Sequence, residues 1–188
     1  AGLTFVEAKE MIRTRVGAQM IGVQASISMG SLRTMQIFVL GEAFRPGAYT
    51  VSSLATITNA LVSSGGVTDI ASLRNIQLKR AGKLVTTLDL YDLLMRGDTS
   101  GDIRLQASDV IYIPTVGDVA SVSGEVRRPA IYEIKPQTTV QTLIDLAGGL
   151  NAKAYANKAR IDRVDDNGFM TVVDVSLNNK QSETVLLR

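Results

Sequence analysis

The sequence predicts an α+β protein made of two tandem copies of one module. Each copy reads as a mixed sheet with one main helix, and a helix-strand segment precedes the pair. Three observations predict this: a stretch that repeats at a constant offset, a switch of apolar period inside each copy, and glycine or proline punctuation at matching places.

The repeat starts where Val39-Leu40-Gly41-Glu42 and Arg45-Pro46-Gly47-Ala48-Tyr49 match Val122-Ser123-Gly124-Glu125 and Arg128-Pro129-Ala130-Ile131-Tyr132. Gly124 lies 83 positions after Gly41, and the same offset holds for Thr56/Thr139, Gly65/Gly148, Gly66/Gly149 and Arg80/Arg163. Asp89 then aligns with Asp174 at an offset of 85, which predicts a second-copy turn longer by two residues.

Ile37 and Val39 open each copy as a short strand ending in Gly-Glu. Arg-Pro bends the chain, because proline fixes φ and pushes its predecessor into extended geometry. Tyr49 and Val51, matched by Tyr132 and Ile134, alternate as a second strand. A helix follows. Ile57, Ala60, Leu61 and Ser64, and in the second copy Val140, Leu143, Ile144 and Ala147, fall at i, i+3, i+4 and i+7. Thr56 or Thr139 can cap it, and the glycine pairs supply a left-handed stop.

Strands are then predicted over 75–80 and 84–88, joined through Ala81-Gly82, and over 158–164 and 169–175. The second hairpin turns through Asp165-Asp166-Asn167-Gly168, residues that tolerate positive φ. A helical piece over 91–95 and a last strand over 109–113 complete the first copy, closed by Pro114. One helix held on such a sheet is a β-grasp. The second copy stops near the position of Leu105, so the counterpart of Ser108–Pro114 is missing and an open sheet edge is expected. A truncated second copy is the reading.

The boundaries read as 1–35 for the preceding unit, 36–116 for the first module and 117–188 for the second. In the preceding unit Thr4 and Glu7 form a capping box, and Phe5, Ala8, Ile12 and Val16 share a helical face. Ile21, Val23, Ala25 and Ile27 then alternate as a strand. So short a piece cannot bury a core alone, and it reads as the tail of a longer domain.

Composition narrows the chemistry. The 188 residues are 45% hydrophobic and 20% charged, within the folded range, and only 5% aromatic without Trp. Twenty Lys and Arg against eighteen Asp and Glu leave a net charge of +2, with no clustered basic face to suit nucleic acid. The chain has no Cys and no His, which removes Ser-His-Asp and Cys-His catalysis, thiol redox chemistry and the usual zinc sites. No phosphate-cradling glycine loop occurs. Asp165 and Asp166 are adjacent in a turn, whereas glycosidase carboxylates face each other across roughly 5 to 9 Å. No catalytic residue, metal ligand or cofactor site is therefore assigned. No apolar run approaches the roughly 20 residues that span a bilayer, and the first residues lack a signal-peptide pattern.

The run Ser31-Leu32-Arg33-Thr34-Met35-Gln36-Ile37-Phe38-Val39-Leu40-Gly41-Glu42 with Arg45-Pro46-Gly47-Ala48-Tyr49 resembles the outer-membrane polysaccharide export family. So does a helix opening at Gly2-Leu3-Thr4 ahead of an alternating strand. The two repeats look like soluble-ligand-binding β-grasp (SLBB) modules, and residues 1–35 look like the end of an export-motif domain. The second copy departs from the motif at Ala130, where a different turn is expected, and the first at Ser63-Ser64.

The resemblance implies a non-enzymatic conduit on the periplasmic face of the outer membrane, through which capsule or exopolysaccharide leaves a Gram-negative cell. It implies a homo-oligomeric ring, an inner-membrane polysaccharide co-polymerase as partner, and outer-membrane attachment through segments absent from this chain. The other reading is a ligand module that holds an oligosaccharide or small ligand and senses or gates. A conduit expects polar, weakly interacting surfaces, and a ligand module a discrete pocket with aromatic groups. Glycan contacts, if the repeated turn makes them, fall on Arg45, Tyr49, Arg128 and Tyr132, since an aromatic face suits the apolar face of a pyranose. Packing of both tyrosines, turn geometry for Gly-Glu and Arg-Pro, and a surface Glu-Arg pair are the structural alternatives.

Overall fold

The structure is a computed structural model, and it describes residues 4–20, 23, 25–28, 30, 33–164, 167–178, 185 and 187. The chain divides into two compact units, Ala1–Thr34 and Met35–Arg188.

In the first unit, helix α1 spans Phe5–Gln19. The Glu7 carboxylate accepts the Thr4 N–H at 2.7 Å, and the Glu7 N–H reaches the Thr4 hydroxyl at 3.4 Å, so the capping box forms. No side chain of α1 is buried. The strand expected over 21–27 is not found. Val23, Ala25 and Ile27 lie in irregular chain, and Ile21 is outside the described residues. Alternation alone makes no strand where no neighbouring strand takes its backbone hydrogen bonds.

The second unit holds both modules. In the first, β1 (Thr34–Gly41), β2 (Gly47–Ser52), α2 (Ile57–Ser63), β3 (Ile76–Arg80), β4 (Lys83–Leu88), α3 (Leu90–Arg96) and β5 (Val110–Ile113) follow in order. The sheet runs β2-β1-β5-β3-β4. Strand β5 is central: parallel to β1 with Phe38 opposite Val110, and antiparallel to β3 with Leu78 opposite Ile111. The core is formed by Ile37 and Val39 of β1, Ile57, Ala60 and Leu61 of α2, Ile76 and Leu78 of β3, and Ile111 and Ile113 of β5. The α2 residues are those of the predicted stripe, and Ser64 is buried with its hydroxyl donated to the Leu61 carbonyl.

Local signals act as the sequence predicts. Gly65 and Gly66 have φ of 84° and 91°, and the Gly66 N–H reaches the Leu61 carbonyl, closing α2. Ala81 and Gly82, both at positive φ, make the β3–β4 turn. At the other end of α2, Asn59 takes the Thr56 N–H at 3.0 Å, and the Asp102 carboxylate takes the Thr58 N–H at 2.9 Å and the Thr58 hydroxyl. A residue 44 positions away thus completes the helix cap.

The second module repeats the frame with β6 (Val119–Val122), β7 (Ala130–Glu133), α4 (Val140–Leu146), β8 (Ala159–Val164) and β9 (Met170–Val175). Ala130 opens β7 as Gly47 opens β2, and Gly47 has φ 159°, close to extended backbone, so alanine needs no different turn. Thr139 caps α4 by accepting the Thr142 N–H, and Gly148 and Gly149 stop it at φ 82° and 84°.

Two registers differ from expectation. Ile76 faces Leu88, whereas Ala159 faces Val175, so the offset of 83 at β8 becomes 87 at β9. Asp89 is therefore matched by Ser176, not Asp174, and the chain between the paired Arg163 and Thr171 is longer by five residues than that between Arg80 and Lys83, rather than by two. A bulge between Leu78 and Lys79, absent from the regular β8–β9 ladder, puts an extra residue on β4 and takes one position back, leaving the offset of 87. Asp165 and Asp166 of that turn lie outside the described residues. The second module also forms two separate antiparallel ladders, β6-β7 and β8-β9, instead of one mixed sheet. Among the described residues no strand stands between β6 and β8 as β5 stands between β1 and β3. The chain does follow the first copy at Leu187, whose N–H donates to the Thr138 carbonyl as that of Leu105 donates to the Ala55 carbonyl.

Candidate functional site

The repeated Arg-Pro turn has the same internal wiring in both modules. The Tyr49 hydroxyl donates to the Arg45 carbonyl at 2.5 Å, and the Tyr132 hydroxyl to the Arg128 carbonyl at 2.6 Å. In each module the arginine carbonyl just before the proline finds its donor in the tyrosine hydroxyl four residues on. The motif Arg-Pro-x-x-Tyr is thus a self-tied turn. Arg45 is exposed beside the Phe44 ring, its carbon 5.9 Å from the centroid. Arg128 donates to the Leu146 carbonyl at 3.0 Å, at the end of α4 where a cation suits the helix dipole. Tyr49 is half-buried. Tyr132 is only 5% exposed, with its ring against Tyr91, and has no face open to a sugar. The two Arg-Tyr pairs stand on separate turns, one in each module.

Gly-Glu also has a backbone cause. A Cβ on Gly41 would meet the Ile113 carbonyl oxygen at 2.0 Å, and the Glu42 N–H donates to that same oxygen at 2.9 Å. The Glu42 carboxylate takes the Thr68 hydroxyl at 3.2 Å, and among the described residues it makes no ion pair with Arg45.

The densest polar constellation lies between the modules, where the sequence offered no signal. Glu133, at the end of β7, is 7% exposed. One carboxylate oxygen accepts the Ser72 hydroxyl at 2.7 Å and the Gly117 N–H at 3.2 Å, and the other the N–H groups of Leu73 at 2.8 Å and Arg74 at 3.2 Å. Its backbone is held too: the Glu133 carbonyl accepts Arg74 Nε at 2.6 Å, and its N–H donates to the Tyr91 hydroxyl at 3.0 Å. Arg74 lies over the Tyr91 ring at 4.1 Å and reaches Asp89 at 3.2 Å, where Lys135 joins from the second module at 2.8 Å. Burial pushes the Asp89 carboxyl up, but Lys135, Arg74 and the Tyr91 N–H together outweigh it and hold the group below its ordinary value. Tyr91 and Leu73 of the first module also pack into the second module's core with Val126, Tyr132, Leu143 and Leu146.

The surface recesses are shallow. One of about 420 Å³ lies beside β2 and α2, lined by Thr50, Ser52, Leu54, Asn59 and Ser63. Another of about 430 Å³ is lined by Tyr155, Asn157, Lys158, Asp174 and Ser176. Among the described residues no group of three His, Cys, Asp or Glu side chains could hold a metal ion, and no helix is long and apolar enough to cross a membrane. The arrangement offers hydroxyls and amides on open surfaces around a rigid inter-module joint.

Comparison with known proteins agrees with this two-module architecture. SLBB domain models match residues 35–113 and 119–174. The chain is similar to the EPS I polysaccharide export outer membrane protein EpsA of Ralstonia solanacearum, 24% identical over 155 residues. That match covers 80% of this chain and 41% of the relative, so the chain spans about two fifths of that protein's length. With both modules matched and most of the chain covered, the protein belongs to the SLBB-domain family and carries two such domains in tandem.

Proposed function

We propose that this chain is a non-catalytic, periplasmic part of an outer-membrane polysaccharide export channel, its SLBB domains forming ring wall and assembly surfaces. The observation that carries the reading is the similarity to a polysaccharide export protein across 80% of the chain. Physical features support it. A buried joint makes the two domains suitable as stacked wall segments, and shallow hydroxyl- and amide-lined recesses suit a hydrated polymer that must slide without a deep minimum. On this reading residues 1–35 end an export-motif domain, 36–116 and 117–188 are the wall modules, and a homo-oligomeric ring meets an inner-membrane co-polymerase. Capsule or exopolysaccharide is the cargo. Of the four turn residues, the exposed Arg45 and half-buried Tyr49 are the better placed for contact with polymer.

The test is deletion of residues 35–188 from the full-length protein in the organism that carries it. Surface polysaccharide is expected to fall to the level of a full gene deletion, while polymer retained in the cell does not fall. Normal export after the deletion would overturn the proposal.

A further inference from the structure

The two modules share one frame, so a surface position whose chemistry changes between them is not dictated by the fold. In the first module, Ile37, Val39, Ile76, Leu78, Ile111 and Ile113 of β1, β3 and β5 point into the core. Alternation puts Phe38, Leu40, Val110, Tyr112 and Lys79 on the other face of the sheet. Phe38 lies opposite Val110 and Leu40 opposite Tyr112, so the four apolar side chains adjoin. Leu40 is 41% and Tyr112 38% exposed, and Lys79 Nζ lies 4.6 Å from the centre of the Tyr112 ring.

A second apolar patch lies on the helix side, at the end of α2. Val62 is 77% exposed, and the exposed Phe44 ring lies against Gly65. The turn that follows the Ala43–Val67 bridge adds exposed Ile70 and, beside it, exposed Asp69. Among the described residues neither Asp69 nor Lys79 makes an ion pair.

The second module has neither patch. Ser121 and Ser123 stand 83 positions after Phe38 and Leu40, and Arg127, Asp145 and Lys153 stand 83 after Phe44, Val62 and Ile70. All five are exposed. The charges differ too, with Asp162 at the position of Lys79 and Ala152 at that of Asp69. The frame forms with polar residues at these places, so the apolar ones serve something outside it.

We propose that the first module makes a lateral contact with a second copy of this chain, the open sheet face of one copy taking the α2 end of the next. A helix-bearing side laid on an open sheet face buries both apolar surfaces. Phe44 and Val62 of one copy meet Phe38, Leu40 and Tyr112 of its neighbour, and Asp69 meets Lys79. That charge complementarity sets the register and works against a symmetric sheet-to-sheet pairing, which would bring two Lys79 side chains to one interface. Each patch offers few side chains against the roughly 20–30 residues a side of a stable pair, so one contact alone is weak. Because the patches lie on opposite faces, every copy makes the contact twice and the arrangement repeats from copy to copy. The inference rests on the wall reading only for closure of the repeat into a ring.

The 188 residues contain no Cys, so a cysteine in either patch has no partner among them. The test uses the full-length protein in the organism that carries it, with Leu40→Cys and Val62→Cys in separate, differently tagged copies expressed together. Both positions are exposed, so neither change disturbs the core. Mild oxidation is expected to give a disulfide-linked pair that carries both tags, and both cysteines in one copy a ladder of multiples. Lys79→Asp or Asp69→Lys should each cut the yield about threefold or more, and the two together should restore it. Asp162 already stands at the first of these positions in the second module, so the fold accepts the change. Pairs that carry one tag only, a linked band that contains a different protein, no pair beyond that of the unaltered protein, or no recovery in the double exchange would each overturn the proposal. Loss of export on deletion of residues 35–188 without any two-tag pair would overturn the contact and leave the channel reading standing.

Discussion

Replacing Glu133 with alanine removes the acceptor for four donors that belong to the first module and the linker: the Ser72 hydroxyl and the N–H groups of Leu73, Arg74 and Gly117. Each bond to a buried charge contributes about 1.5–3 kcal/mol, but the sum is not the cost, because water can enter the vacated volume and Ser72 can still accept from Asn75. Removing one side of a buried, fully bonded charge typically costs about 3–5 kcal/mol, and that is the expected loss. Glu133→Gln keeps the shape but turns an NH₂ towards existing donors, for an expected loss of about 1–3 kcal/mol. Two measurements check this. With a urea slope of about 2 kcal/mol/M, the Ala variant should lower the unfolding midpoint by roughly 1.5–2.5 M. Native-state hydrogen exchange should speed up at Leu73 and Arg74 by a hundredfold or more, about tenfold for every 1.4 kcal/mol. A Glu133→Ala protein with an unchanged midpoint and unchanged exchange at those two amides would refute the joint as a source of stability.

Four further outcomes follow from other contacts. Gly41→Ala should destabilise far more than Gly124→Ala: both incur about 1–2 kcal/mol for left-handed backbone, but only the first drives a Cβ into the Ile113 carbonyl, and thermal unfolding of the pair compares them. Asp109→Ala leaves the Gln106 N–H without its acceptor, so a loss of about 1–3 kcal/mol is expected in the same assay, while the exposed Arg80 turns to water. Asp102→Ala removes a cap from α2 at about 0.5–2 kcal/mol, read by urea unfolding. Acid should loosen the joint: a depressed Asp89 pKa contributes stability above the unfolded carboxyl value near 4 and loses it as pH falls through the folded one. Asp89→Asn should flatten that part of a stability-versus-pH curve, and an unchanged curve would exclude the group as its source.

What the sequence makes legible is local. Helices α2 and α4 are written in their apolar spacing and glycine stops, and each Arg-Pro-x-x-Tyr turn lies within five residues, so their geometry follows from short-range chemistry. Glu133 is different. On β7 it looks like any strand-end acid, and the groups that make it a buried anchor lie 16 to 61 positions away. Asp102 is hidden for the same reason, as a loop carboxylate capping a helix 44 positions earlier. The Asp89–Asp174 match failed because a bulge and a longer hairpin both shift numbering without leaving a composition signal. Tyr132 illustrates the limit for the turn residues: its hydroxyl bond follows from the motif, but its burial depends on Tyr91, which only the inter-module packing brings near.

The joint has a consequence for how such tandems diversify. Its parts are split between the two domains, Ser72–Arg74 and Asp89–Tyr91 in the first and Tyr132–Lys135 in the second, with Gly117 of the linker between them. A recombination event that exchanged only the second domain would graft a foreign strand end onto a backbone cradle shaped for a glutamate. Chimeras should therefore fold well only when both domains and the linker come from one parent, which makes the inherited unit the pair rather than the single domain.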